Sequence, residues 1–143
     1  MTPNILIVDD ENDIRLLIAD ILSDEGFRCR TAANSDEALT EIENGMPDLL
    51  VLDIWLEGSQ LDGMEILENV TSRSSNLPVV MISGHGSVET AVNAIKLGAY
   101  DFIEKPFKAD RLLLTVTHAL QTARLKRENE ELRQTAGQET QIV

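Results

Sequence analysis

"DLLVLDIWLEGSQLDGMEIL", residues 48–67, decides how this chain folds. It opens with an apolar run, DLLVLD (48–53), that reads as a strand buried inside a sheet. It closes with the local signals of a helix start. Asp62 is placed to cap, Glu65 follows three residues later as in a capping box, and Leu61 and Ile66 are spaced as a hydrophobic staple. Between them, residues 54–61 make a connection that is long for a strand-to-helix turn. An acidic residue, Asp53, ends the strand. A buried strand feeding a helix is half of a β–α–β unit, so the same alternation is expected on either side.

It is found there. ILIV (5–8) precedes a helix face of Ile14, Leu17, Ile18, Ile21 and Leu22, which Gly26 closes. RCRTA (28–32) reads as an edge strand, and SDEALTEIENG as a short helix ending at Gly45. LPVVMIS (77–83) is a fourth strand, with Pro78 tolerable at its entry. Val88, Ala91, Val92 and Ile95 mark a helix face that ends at Gly98, YDFIE (100–104) is a fifth strand, and a long helix starts near Ala109. Five strands alternating with five helices predict an α/β fold, a parallel sheet covered on both faces. Right-handed crossovers make it doubly wound, and the order 2-1-3-4-5 is expected.

The last helix has two parts. Leu113, Val116, Ala119, Leu120 and Ala123 can pack on the sheet, whereas RLKRENEELRQT (124–135) is mostly charged. Leu125 and Leu132, seven residues apart, fit either one heptad of a coiled coil or a solvated helix end. Residues 1–122 are therefore assigned to the globular domain and 123–143 to a helical linker, with AGQETQIV (136–143) expected to fray.

Composition narrows the function classes. The chain has 143 residues, suited to one domain, and its 25 acidic against 12 basic residues give a net charge of −13. That balance argues against direct nucleic-acid binding, which rests on Lys and Arg, and it suits carboxylates gathered around a cation. One cysteine, Cys29, excludes an internal disulfide. MTPN leads straight into a strand, so no signal peptide is expected, and no apolar run approaches the roughly 20 residues that span a bilayer. A cytoplasmic location is expected.

In an open parallel sheet, ligands bind beyond the carboxyl ends of the strands. Those ends carry Asp9 and Asp10 after strand one, Asp53 after strand three, Ser83 after strand four and Lys105 after strand five. Taken singly, each is more often a turn residue, a cap or an exposed loop residue. Taken together, they describe a cradle: carboxylates that would repel without a cation, with an ammonium and a hydroxyl opposite. Mg²⁺ suits such a site because it takes oxygen ligands and keeps several waters. Aspartate is a known phosphoryl nucleophile, and phosphoryl transfer needs mainly positioning and charge neutralisation.

ILIVDDE, LLVLD, VVMISG and YDFIEKPF, in this order, resemble the receiver domains of two-component response regulators, across roughly residues 4–122. The resemblance implies that Asp53 accepts a phosphoryl group from the phosphohistidine of a sensor histidine kinase. It implies Mg²⁺ held by Asp10, Asp53 and the backbone carbonyl of Trp55, with Asp9 acting through a water. Ser83 matches the family's switch hydroxyl, Lys105 its phosphate-binding lysine and Phe102 its switch aromatic, and the Lys105–Pro106 bond would be cis. LDIWLEGSQLDG, MISGHGSVETAV and GAYDFIEKPFKADRL are similar to NtrX-type receivers of the NtrC family. This narrower likeness implies an NtrY-like kinase, a nitrogen-related role, and a sigma-54-interacting ATPase and a DNA-binding domain beyond the linker. It also implies a homodimer through helix four, strand five and helix five, where Lys105, Lys108, Asp110 and Arg111 offer salt bridges. No phosphate-loop motif GxxxxGK[ST] occurs in the chain.

Three points stay open at this level. Typical receivers have a connection shorter by two residues after the phosphorylated aspartate, commonly with a proline. Here residues 54–61 are either a tolerated surface insertion or a gate for the kinase or for hydrolytic water. Trp55 and His85 match positions that modulate phosphoaspartate hydrolysis, against the plainer readings of loop packing and an exposed turn. Trp55 is expected to shield the site and slow dephosphorylation. Two other functions compete: an aspartate-nucleophile hydrolase of the haloacid dehalogenase type, which needs a second acid where Trp55 stands, and a degenerate receiver serving only as a dimerisation module.

Overall fold

The structure, a computed structural model, describes residues 2–74, 76–84 and 88–142, the last ten of these by backbone alone. The elements follow in strict alternation: β1 (Asn4–Val8), α1 (Asn12–Asp24), β2 (Arg28–Ala32), α2 (Ser35–Asn44), β3 (Leu49–Asp53), α3 (Gly63–Arg73), β4 (Val79–Ser83), α4 (Val88–Lys96), β5 (Asp101–Glu104) and α5 (Ala109–Ile142). All strands are parallel, in the predicted order β2-β1-β3-β4-β5. β2 is an edge strand, as its mixed sequence suggested. The register sets Val8 beside Leu52, Asp53 beside Ile82 and Ser83 beside Glu104, which brings the carboxyl ends to one rim of the sheet.

Successive strand residues face opposite layers, and both layers are apolar. Leu6, Val8, Leu50, Leu52, Val79 and Met81 join Ala38 and Ile42 of α2, Ile66, Leu67 and Val70 of α3, and Ala94 of α4 in one core. Ile5, Ile7, Leu49, Val51, Val80, Ile82 and Ile103 join Ile18 and Leu22 of α1 with Leu112, Val116 and Ala119 of α5 in the other. The central strands β3 and β4 are buried at every residue. At about 1.5–3 kcal/mol for each fully buried large aliphatic side chain, these two layers hold the rim rigid.

The structure adds detail to three of the helices. Leu17 of α1 is exposed while Ile18 and Leu22 take the core, because only a narrow stripe of this helix touches the sheet. On α4, Val88, Val92 and Ile95 face solvent, and the buried residue is Ala94. α5 remains helical to Ile142, through the segment expected to fray. Beyond Ala123 its described side chains, up to Leu132, are all exposed. No helix among the described residues is long and apolar enough to cross a membrane.

Candidate functional site

The site is built by backbone pairing before any side chain acts. Asp9 continues β1 by donating its N–H to Ala32 O (3.2 Å), and its Oδ1 accepts from Glu11 N (2.8 Å), turning the chain into α1. Arg15 Nη1 holds the Asp9 carbonyl at 2.8 Å. At the end of β3, Ile54 N donates to Ile82 O (3.0 Å), and Ile54 O accepts from Gly63 N (2.8 Å), the first residue of α3. A Cβ on Gly63 would collide with the Asp53 carbonyl and stand 2.7 Å from Ile54 Cα. Only glycine lets α3 start this close behind Asp53. The predicted capping box is present: Asp62 Oδ1 accepts from Glu65 N, and Glu65 Oε1 accepts from Asp62 N. Lys105 N donates to Ser83 O (2.9 Å), seating the lysine beside β4, and the Lys105–Pro106 bond is cis.

These constraints aim the side chains at one another. Lys105 Nζ donates to Asp53 Oδ2 at 3.2 Å and to Glu11 Oε1 at 3.4 Å. It also lies 2.9 Å from Asp9 Oδ2, an ion pair with a fully buried carboxylate. One ammonium thus faces several carboxylates. Burial pushes the Asp53 carboxyl up to about 7, with the Asp9 charge adding to the rise and Lys105 opposing it. Burial likewise raises Asp9. For Lys105, burial works against the charged form, but the contacts with Asp9 and Asp53 prevail and raise it. In this form the pocket holds more negative charge than its own lysine neutralises.

Asp10, Glu11, Asp53, Trp55, Glu57, Gly84 and Lys105 line a cavity of about 200 Å³. Asp9, Asp10, Glu11 and Asp53 can each present an oxygen within 4.8 Å of the others. An all-oxygen donor set and an excess of carboxylate fit a small hard dication such as Mg²⁺. Asp53 Oδ1 accepts from Trp55 N (3.4 Å), and Asp10 Oδ2 accepts from Glu57 N (3.2 Å), so the loop after β3 forms one wall.

Asp9, Asp10, Asp53 and Lys105 therefore meet, with Ser83 buried at the adjacent strand end. The Trp55 indole stands at the rim, 48 % exposed. Phe102 lies apart, half-buried between the core and a groove formed with Val88, Val92 and Ile95. His85 lies outside the described residues. Sequence reasoning assigned nothing to Glu11 or Glu57. Glu11 follows two acids at a strand end, a signal that could have been used, whereas Glu57 reaches the pocket through a loop with no periodicity to read.

The sequence matches the model of the response regulator receiver domain over residues 5–117. It is 56% identical over 142 residues to the nitrogen assimilation regulatory protein NtrX of Azorhizobium caulinodans, covering 99% of this chain and 31% of that relative. The structure resembles NtrX from Brucella abortus with a TM-score of 0.89 and 59% identity, over 93% of this chain and 30% of that one. The isolated receiver domain of Brucella NtrX gives 0.80 and 61%, over 82% of this chain and 98% of its own. The chain spans about a third of the length of the curated relatives it matches. With its sheet order, its acidic rim and these matches in agreement, the chain belongs to the response regulator receiver domain family.

Proposed function

We propose that Asp53 is the phosphoryl acceptor of a two-component signalling pathway and that its phosphorylation switches a transcription regulator of the NtrX type. The observation that carries this reading is Lys105, whose ammonium bridges Asp9 and Asp53 inside a buried, carboxylate-rich cavity. In the transfer, an Asp53 carboxylate oxygen forms a bond to phosphorus in line with the breaking P–N bond of the kinase's phosphohistidine, and neutral imidazole leaves after taking a proton. Lys105 neutralises a phosphoryl oxygen, and the Ser83 hydroxyl donates to another. Asp10, Asp53 and the Trp55 carbonyl would hold Mg²⁺, with Asp9 acting through a water, and the ion would supply charge neutralisation for the transferred group. Trp55, at the rim, limits the approach of hydrolytic water.

The signal then leaves through α4, β5 and α5. Val88 is 83 % exposed, and Val92, Ile95 and half-buried Phe102 extend the same apolar groove, too much apolar surface for a solvated helix face. Arg111 of α5 lies 3.8 Å from Asp101 of β5, which lines the same groove. This reading makes the surface a homodimer interface with Phe102 as the moving aromatic, residues 1–122 the receiver, and 123–143 a linker toward a sigma-54-type ATPase and a DNA-binding domain. An NtrY-like kinase, a nitrogen-related role and a cytoplasmic location complete it.

Acetyl phosphate with Mg²⁺, followed by intact mass, tests it. One phosphoryl group per chain, absent in Asp53→Asn, is expected, together with a shift toward dimer in solution. Sustained phosphatase turnover would favour the hydrolase reading, and no labelling would favour a scaffold.

A further inference from the structure

The loop 54–62 is fastened to α2 by a reciprocal pair of serine contacts. Ser59 Oγ accepts from Ser35 N at 2.8 Å and donates to Leu61 O at 2.7 Å, while Ser35 Oγ accepts from Leu61 N at 3.1 Å. Ser35 is the first residue of α2 and is 1 % exposed. Its N–H is one of the amides that a helix start leaves without an internal acceptor. The N-cap residue Asn34 accepts from Glu37 N, so the Ser35 amide is served from across the structure by Ser59.

The same latch fixes a tight turn over the pocket. Ser59 N donates to Leu56 O (3.3 Å), Gly58 supplies the positive φ of 71° that the turn requires, and Leu56 is buried in the core beneath. The turn therefore has two anchors, Leu56 below and Ser59 against α2. Between them, Glu57 N is presented to Asp10 Oδ2 at 3.2 Å. That amide restricts the orientation of the Asp10 carboxylate, which lines the cavity.

We propose that Ser59 is a positioning residue for the cation and phosphoryl site, acting through the Glu57 amide on Asp10. This inference rests on the function proposed above. It reads the long connection as a built wall whose tip orients a cation ligand. Residues that orient a metal ligand typically change affinity by about 10–100-fold when removed. The Ser59 latch is one step further away, and about a tenfold weakening at the low end of that range is expected.

The test titrates Mg²⁺ at constant ionic strength into the wild type, Ser59→Ala, Ser59→Thr and Ser35→Ala, read by Trp55 fluorescence and by calorimetry. Exchange of the Glu57 amide and thermal unfolding in a chelator are measured alongside. Ser59→Ala and Ser35→Ala should weaken Mg²⁺ binding about tenfold and speed Glu57 exchange, and Ser59→Thr, which keeps the hydroxyl, should restore both. A loss of melting temperature in Ser59→Ala with Mg²⁺ affinity within twofold of wild type would overturn the inference while leaving the proposed function standing. So would a Ser59→Thr variant as weak as Ser59→Ala. A wild type that neither responds to Mg²⁺ nor accepts a phosphoryl group would overturn the proposed function, and this inference with it.

Discussion

Without a divalent cation, the acidic pocket should destabilise the fold as pH rises, and Asp53→Asn should remove the share that Asp53 contributes. Asp53 is 3 % exposed, with the buried Asp9 carboxylate beside it. Its carboxyl is raised from 3.8 to about 7 by burial first and by Asp9 second. Between these two values the folded protein holds a proton that the unfolded chain has released. Stability is therefore fully present below about pH 4 and is lost as pH climbs through about 7, at about 1.4 kcal/mol per pH unit. From pH 5 to pH 8 the loss is a little under ~3 kcal/mol. With an unfolding entropy of about 2.1 cal/mol/K per residue, this corresponds to about 9 °C for a chain of this size. The assay is thermal unfolding of wild type and Asp53→Asn in a chelator at both pH values, where the difference between the variants cancels the repulsion common to the whole acidic surface. The wild type should lose about 9 °C relative to Asp53→Asn on going to pH 8. Mg²⁺ should recover much of that, because it binds the folded chain preferentially. A gap between the two proteins that stays constant from pH 5 to pH 8 would refute the reasoning.

Other expectations follow from the geometry. Trp55→Asn, which opens the half-exposed rim of the pocket, should speed decay of the phosphorylated protein several-fold in a timed mass assay while leaving its melting temperature within about 2 °C of wild type. Gly63→Ala puts a methyl group into the Asp53 carbonyl and against Ile54 Cα. It should cost about 1–3 kcal/mol by overpacking, seen as a lower urea midpoint, and it should slow phosphorylation because the strain falls on the acceptor's own backbone.

The sheet order and both core layers were legible because β1, β3 and β4 are short apolar runs closed by turn residues, and alternate residues of a buried strand must face opposite layers. The α3 start was legible because a capping box lies within four residues. Asp9, Asp10, Asp53, Ser83 and Lys105 could be expected together once the strand order was known, since topology alone brings their strand ends to one rim. Other features were hidden for physical reasons. Helical periodicity shows that Val88, Val92 and Ile95 share a side, but not whether that side meets the sheet or solvent. In α4 the small Ala94 fills the core position and the larger residues point outward. The Ser35–Ser59 latch joins positions 24 residues apart in two irregular segments, and no repeat or motif links them. Glu57 enters the site through its backbone N–H, a contact that side-chain identity does not encode.

The most direct test of the central claim is to locate the phosphoryl group. The protein is treated with acetyl phosphate and Mg²⁺, the acyl phosphate is trapped by borohydride reduction, and the peptides covering the whole chain, including residues 1–28 and 48–67, are sequenced by mass spectrometry. Reduction to homoserine at position 53, and nowhere else, is the predicted result. A label at Asp9, Asp10 or Glu57 with position 53 unchanged would contradict the account.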